Sequence, residues 1–270
     1  MFKYEPIKSW EEFVDIISSL SPNPKERWVF RGQSDAEWPL ETSLDRGIKR
    51  MELQLKHKPI ENTLLREFKR HFHWYSQYIP HEEDKLEWLS LMQHHGAPTR
   101  LLDWTYSAYI ALYFAIQNFT IQNSNNVCAV WAINQTLCWK KFKRKLSNED
   151  KRKIEKNDRK VINKVLGAFS DPMICPLNPL HLNTRLAIQQ GTFFIPLGGS
   201  LSFEDNFKSI KDDQDYCRKI EIVCSQEFVL KAFSELQRVN ISEAILFPGL
   251  DGWARSLSIT MLLKHLHQKK

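Results

Sequence analysis

The sequence predicts a single α+β domain, with a small mixed or split β-sheet core surrounded by helices. Short apolar runs of strand length alternate along the chain with longer stretches of helical periodicity. The 270 residues are 42% hydrophobic, which is enough for one large core. No internal repeat divides the chain, so we expect a helical lead-in over 1–26, the main domain over 27–252 and a terminal helix over 253–270 packed on it.

Helix and strand signals alternate in the first third of the chain. Ser9 and Glu12 have the spacing of a capping box, and apolar residues at helical spacing follow them. After this first helix we expect a strand over 27–31, an irregular polar stretch over 32–49, and helices over 60–78 and 82–94.

The remaining elements follow a polar turn and a short extended segment over 99–104. Ser107 is placed to cap an apolar helix that buries Ala108, Ala111 and Leu112. Beyond it we expect strands over 127–133, 192–195, 219–223 and 244–247, helices over 148–166, 226–236 and at the C-terminus, and a turn-rich stretch over 172–179.

The composition excludes several classes of protein. No stretch approaches the roughly 18 apolar residues of a membrane span, and no apolar segment of a signal peptide follows the N-terminal charge, so we expect a cytoplasmic protein. The spacing of the five cysteines matches neither a zinc motif nor a disulfide framework. Cys128 and Cys224 lie in apolar runs, where we expect reduced thiols that act as small core residues.

The net charge of +6 raises the expectation of an anionic partner. Much of the charge is concentrated in one cluster, Lys140, Lys141, Lys143, Arg144 and Lys145. Such a cluster is either a solvated helix face or a surface that contacts the phosphates of DNA or RNA, and the sequence leaves both interpretations open.

The most polar segment is the block Gln93–Thr105, which leads directly into the apolar helix. A polar, turn-rich element before a buried one is typical of a scaffold that presents a site. His94 and His95 are adjacent and point in different directions, and no further ligand stands at suitable spacing, so we expect no metal site. One of the two is expected to hydrogen-bond a ligand.

Arg31 ends an apolar strand directly before Gly32, with polar Gln33 after it. We interpret Arg31 as a guanidinium group at the rim of a cleft, reaching for a phosphate or carboxylate. The alternative is an edge arginine in an ion pair. Arg100 and Asp103 lie on opposite faces of an extended segment or nearly so, and need not pair with each other.

Hydroxyl and amide side chains complete the candidate set. Thr105 and Ser107 precede a helix and could either cap it or contact a ligand there. The pair Gln189 and Gln190 precedes a strand, and a glutamine amide suits hydrogen bonds to a sugar hydroxyl.

Three sequence blocks resemble those of the FRG domain family. Phe30-Arg31-Gly32-Gln33 carries the Phe-Arg-Gly motif that names the family, and Thr42–Arg46 follows it. Gln93–Thr105 is the central block, and Leu246–Gly252 is the last. The resemblance therefore spans about 27–252.

The order of elements also resembles the ADP-ribosyltransferase fold. This resemblance implies that Arg31 holds the phosphates of the co-substrate NAD, that Thr105 stands in the second motif, and that Gln190 takes the place where the superfamily usually has a catalytic Glu. It implies a cofactor-binding set of Arg31, Gly32, Gln33, His94, His95, Arg100, Asp103 and Ser107.

Two functions of different classes follow. The first is a NAD-dependent ADP-ribosyltransferase, for example a toxin or phage-defence effector that modifies nucleic acid or protein. The second is a non-catalytic module that binds nucleic acid or a nucleotide in the same pocket. A nuclease is less favoured, because the sequence lacks an acidic cluster for two metal ions.

Overall fold

Six strands form the sheet at the centre of the molecule. The structure is a computed structural model that describes residues 5–20, 25–52, 57–123, 126–168, 172–181, 183–198, 202–211, 213 and 215–267. The strands are β1 (Trp28–Gln33), β2 (Leu102–Thr105), β3 (Val127–Asn134), β4 (Ile174–Leu177), β5 (Gly191–Pro196) and β6 (Cys217–Val223). They lie in the order β4-β5-β2-β1-β3-β6, and neighbouring strands are antiparallel throughout.

Helices cover the sheet, which confirms the α+β class. They are α1 (Trp10–Ser19), α2 (Ser43–Arg50), α3 (His57–Phe72), α4 (Lys85–His94), α5 (Ala108–Ile116), α6 (Gln135–Lys143), α7 (Asn148–Glu155), α8 (Arg159–Ala168), α9 (Thr184–Ile188), α10 (Phe203–Lys211), α11 (Gln226–Arg238), α12 (Glu243–Leu246) and α13 (Leu250–His267). Within the described ranges, none of these helices is long and apolar enough to cross a membrane.

The sheet consists of two three-stranded halves that meet at a narrow seam. β1 pairs with β3 over six residues and β2 pairs with β5 over four. Across the seam, β1 and β2 pair through Phe30 and Thr105. The sheet is therefore continuous and antiparallel, and it is nearly split at this one pair.

The two faces of the sheet bury different apolar clusters. On one face α5 lies across β1 and β3, in a cluster that includes Phe30, Phe13 of α1 and Phe233 of α11. On the other face Trp104 and Trp131 pack in a cluster with α10. Alternation along β1 therefore directs neighbouring side chains to opposite clusters.

Gly32 allows β1 to lie directly against α5. A Cβ atom at this position would be 2.0 Å from the carbonyl oxygen of Ala111 and 2.6 Å from the backbone nitrogen of Ala115. Both are backbone atoms of a buried helix and have little room to move. The glycine of the Phe-Arg-Gly motif is thus required by packing.

Three predicted stretches are wrong in type. The stretch 32–49, expected to be irregular, contains α2, and 172–179, expected to be turn-rich, contains β4. The stretch 244–247, expected to be a strand, lies largely in the short helix α12. Short apolar runs do not distinguish a helix from a strand, and Gly47 and Pro176 obscured the other two elements.

Two predicted helices are correct in type and wrong in extent. The helix expected over 60–78 ends at Phe72, after which Trp74 and Tyr75 are exposed. The helix expected over 148–166 is divided into α7 and α8, because Asn157 has a left-handed φ of 55° that no helix can continue.

We predict that Gly32→Ala lowers the free energy of unfolding by about 2–3 kcal/mol, since α5 or β1 must shift to admit the methyl group. Gly47→Ala in α2 is the matched control, because a Cβ atom there meets nothing within 4 Å. It should stabilise the protein by about 0.5–1 kcal/mol through helix propensity. Chemical denaturation measures both, and equal stability of the two variants would contradict the assigned contact.

Candidate functional site

A cleft of about 630 Å³ opens where the two half-sheets part. Its walls come from the end of β1, from β2, from α2 and the loop before it, and from parts of α4, α5, α9 and β5. This volume lies within the range of small-molecule sites. The narrow seam thus creates a concave site, with residues 30–118 on one side and residues 183–193 on the other.

Arg31 crosses the seam from β1 to β2. Its Nη1 donates to the backbone carbonyl of Asp103 at 2.8 Å, while its buried Nε has no hydrogen-bond partner. Burial lowers the pKa of Arg31, the Asp103 charge raises it, and the Arg46 charge lowers it further. Arg31 is half-buried, and a buried Nε donor without a partner is costly unless an anion approaches it.

Two further guanidinium groups line the same cleft. Arg46 of α2 donates from Nη1 to the carbonyl of Glu41 at 2.8 Å. Arg185 of α9 lies 4.6 Å from the centre of the Phe247 ring. Burial lowers the pKa of Arg185, Asp103 opposes this shift and Arg255 adds to it. The cleft lining therefore contains three arginines and two carboxylates, those of Asp103 and Glu41.

Asp103 presents an exposed carboxylate from β2 into the cleft. Gln93 donates from Nε2 to Asp103 Oδ2 at 2.8 Å, and Thr99 Oγ1 donates to Gln93 Oε1 at 2.6 Å. The other carboxylate, Glu41, pairs with Lys49 at 3.1 Å. The block Gln93–Thr105 thus contains both the carboxylate and the side chains that orient it.

The two histidines of the block have different surroundings. His94 lines the cleft, and its pKa is lowered by burial and by the charges of His95 and Arg185. A neutral imidazole at pH 7 has one donor and one acceptor. The ring of His95 instead packs beside those of Phe68 and Phe72, each with its centroid 6.4 Å away.

Arg100 was predicted to belong to the cofactor-binding set, but it is not part of the cleft lining. It is 3% exposed, lies 2.7 Å from Glu61 of α3, and donates from Nη2 to the carbonyl of Leu166 at 2.6 Å. Lys85 lies 2.8 Å from the same Glu61. Because Arg100 and Asp103 point to opposite sides, Arg100 anchors the block while Asp103 faces the site.

Thr105 and Ser107 are engaged in local structure. Thr105 lines the cleft, but its buried hydroxyl donates to the carbonyl of Gln189 at 2.7 Å and accepts from the Ser107 amide at 3.1 Å. Ser107 caps α5 by accepting from the Ile110 amide at 3.3 Å, as expected. Both hydroxyls therefore have partners within the protein, and the ligand contacts that the resemblance implied stay a prediction.

Gln190, predicted to replace the catalytic Glu, also lies outside the cleft lining. It adopts a left-handed φ of 48°, and its carbonyl accepts from the Tyr106 amide at 2.9 Å. Its side chain borders a separate groove beside Arg27 and Tyr109. The neighbouring Gln189 lines the cleft instead and donates from Nε2 to the carbonyl of Leu246 at 3.0 Å.

Gly32 and Gln33 have mainly structural roles at the rim. Gly32 admits α5 as described above. Gln33 is 7% exposed, and its amide accepts from Trp131 Nε1 at 2.6 Å and donates to the carbonyl of Pro39 at 3.1 Å. It therefore fixes the loop that leads to α2.

Reasoning from the sequence assigned no role to Arg46 or Trp38. Arg46 stands in the block Thr42–Arg46, whose helix was missed, so its direction could not be inferred. Trp38 lines the cleft from the loop before α2. Arg46 could have been found from the block Thr42–Arg46, which resembles the FRG domain family. No comparable pattern in the sequence indicates Trp38.

The basic cluster lies on α6 and just beyond it, away from the cleft lining. Lys140, Arg144 and Lys145 are exposed. Lys143 pairs with Glu155 at 2.8 Å, and the amine of Lys141 lies 5.6 Å from the centre of the Tyr216 ring. Part of the cluster is therefore engaged within the protein, and contact with DNA or RNA stays a prediction.

Comparison with known proteins finds one family model that matches part of the chain. The family model of the FRG domain matches residues 26–125, the segment that carries Arg31, Arg46, Gln93 and Asp103. No curated protein and no solved structure matches the chain. Among the described residues, no group of three or more His, Cys, Asp or Glu side chains could hold a metal ion.

Asp45 fixes the start of α2 and hence the position of Arg46. It accepts from the Thr42 amide at 2.8 Å, from the Phe203 amide at 3.3 Å, and lies 2.7 Å from His57 Nε2. Burial raises the pKa of Asp45, but the bonds to His57 and Thr42 outweigh it and the net pKa is lowered.

The lowered pKa of Asp45 predicts a stability contribution that is present above the ordinary carboxyl pKa of about 3.9 and is lost as the pH falls through the lower folded value. The difference in unfolding free energy between wild type and Asp45→Asn should therefore narrow from pH 6 to pH 2.5. Asp15→Asn, on the exposed side of α1, serves as control. A pH-independent difference for Asp45→Asn would rule out this contribution.

Proposed function

Because the chain carries an FRG domain whose cleft gathers three guanidinium groups, we propose that the cleft binds a phosphate-bearing nucleotide. The observation that carries the proposal is Arg31, a half-buried residue of the cleft lining whose buried Nε has no hydrogen-bond partner. Guanidinium groups bind phosphate through paired hydrogen bonds, and such bonds are strongest where water is excluded.

The charge distribution supports an anionic ligand. Arg31, Arg46 and Arg185 face Asp103 and Glu41, and Glu41 is already paired with Lys49. An incoming phosphate would offset the desolvation that lowers the pKa of Arg31 and the repulsion from Arg46 that lowers it further. The side chains of Gln117 and Asn118 also line the cleft and offer hydrogen-bonding groups to a sugar.

We predict that Arg31→Gln weakens nucleotide binding about 10- to 100-fold, since a hydrogen bond to a charged group is worth about 1.5–3 kcal/mol. Calorimetry with ADP, ADP-ribose and NAD measures this, with adenosine as the ligand that lacks phosphate. Arg66→Gln, on the exposed side of α3, is the matched control. Undiminished affinity of folded Arg31→Gln, or equal binding of adenosine and ADP, would refute the phosphate contact.

ADP-ribosyl transfer from NAD is the second candidate, favoured by the exposed Asp103 carboxylate beside Arg31. In this reaction the bond between ribose C1′ and the nicotinamide nitrogen breaks, and nicotinamide leaves with the electron pair. A nucleophile then attacks C1′ and loses its proton. A carboxylate near C1′ stabilises the positive charge that develops there. In this proposal Asp103, oriented by Gln93, takes the role that the resemblance assigned to Gln190.

We predict that Asp103→Asn lowers nicotinamide release from NAD at least about 100-fold while NAD binding persists, because one charge-stabilising group is typically worth that much. Chromatography of released nicotinamide, with labelled DNA, RNA or protein as acceptor, gives the rate. Gln190→Ala should retain the activity, since Gln190 lies outside the cleft lining. Nucleotide binding without any release would support the non-catalytic binding module instead.

A further inference from the structure

Trp38 is a large aromatic side chain that remains half-exposed at the cleft. Its exposed fraction is 54%, and its indole lines the same cleft as Arg31 and Arg46. Among the described aromatic residues, no ring stacks on it. An exposed indole beside charged groups is costly, because its apolar faces stay in water.

The backbone that presents Trp38 is fixed on both sides. The Trp38 amide donates to the carbonyl of Asp35 at 3.3 Å, and Asp35 Oδ1 accepts from the Glu37 amide at 2.8 Å. On the other side the carbonyl of Pro39 accepts from Gln33 Nε2 at 3.1 Å. Leu40 follows and is fully buried. The exposure of Trp38 is therefore a property of an anchored loop.

The combination of an anchored indole with nearby guanidinium groups matches two parts of one ligand. Phosphates pair with arginines, and a flat heteroaromatic base stacks on an exposed aromatic face. An aliphatic phosphate would leave the indole unused, and an uncharged aromatic would leave the arginines unpaired. The arrangement favours a ligand that has both groups.

We propose that Trp38 is the base-stacking residue of the cleft, so that its ligand is a nucleotide whose aromatic base lies on the indole while its phosphates contact the arginines. This inference rests on the proposed nucleotide binding and adds the side chain that recognises the base. In this proposal Trp38 selects ligands that carry an aromatic base, and Arg31 and Arg46 contact the phosphates.

The test compares ADP with inorganic pyrophosphate, which has the phosphates and lacks the base. Calorimetry is performed on wild type, Trp38→Ala and Trp38→Phe. Trp38→Ala should weaken ADP binding about 5- to 150-fold, the range typical of base–aromatic stacking, while pyrophosphate binding is unchanged. Trp38→Phe keeps a ring and should retain most of the ADP affinity.

Trp74→Ala is the matched control, since Trp74 is 67% exposed and lies outside the cleft lining. Equal ADP affinity of wild type and Trp38→Ala would overturn the proposal, as would an equal loss for ADP and pyrophosphate. If wild type binds pyrophosphate and ADP equally well, base recognition fails and phosphate binding stands. If wild type binds neither ligand, both proposals fail together.

Discussion

The single backbone pairing between Phe30 and Thr105 holds the two half-sheets together and also creates the cleft between them. Beyond this pair, β1 and β2 diverge, so that Arg31 and Asp103 meet through one hydrogen bond across the gap. A longer pairing would close the space with backbone hydrogen bonds. The helix α5 keeps the two halves in register, because it packs on β1, β2 and β3 together. This packing in turn depends on Gly32, where a side chain would collide with the helix backbone.

Arg100 and Arg31 differ in how their charges are compensated. Arg100 has a structural role, and Arg31 is the arginine proposed to bind a ligand. Arg100 is buried against Glu61, which also serves Lys85, so each charge there has an opposite charge within 2.8 Å. Arg31 is half-buried, and its Nη1 donates to a backbone carbonyl, which carries no net charge. Removing a charge from water without fully neutralising it is unfavourable. The charge of Asp103 offsets this desolvation only in part, because the net pKa of Arg31 is still lowered, and this is the physical reason for proposing an anion in the cleft.

The block Gln93–Thr105 both anchors itself in the core and contributes to the cleft, because successive side chains of an extended backbone point to opposite sides. One side of the segment directs Arg100 into the interior, and the other directs Asp103 to the cleft. Thr99, next to Arg100, donates to the Gln93 amide, and Gln93 in turn donates to the carboxylate of Asp103 and fixes its position. An ion pair with Glu61 at one end thus makes the geometry at the other end reproducible, which a binding or catalytic group requires.

The sequence by itself determined the α+β class, the cap of α5 by Ser107, and the placement of Arg100 and Asp103 on opposite sides of their segment, because these depend on periodicity and on neighbours within a few residues. Only the tertiary structure decided that Arg46, Arg185 and Trp38 converge on one cleft, since Arg185 is far from Arg31 in the chain and the directions of Arg46 and Trp38 are set by packing. Gln190 shows the same limit at a single residue. Its left-handed backbone at the turn before β5 leaves Gln189 to line the cleft, and no pattern of residue types encodes that choice.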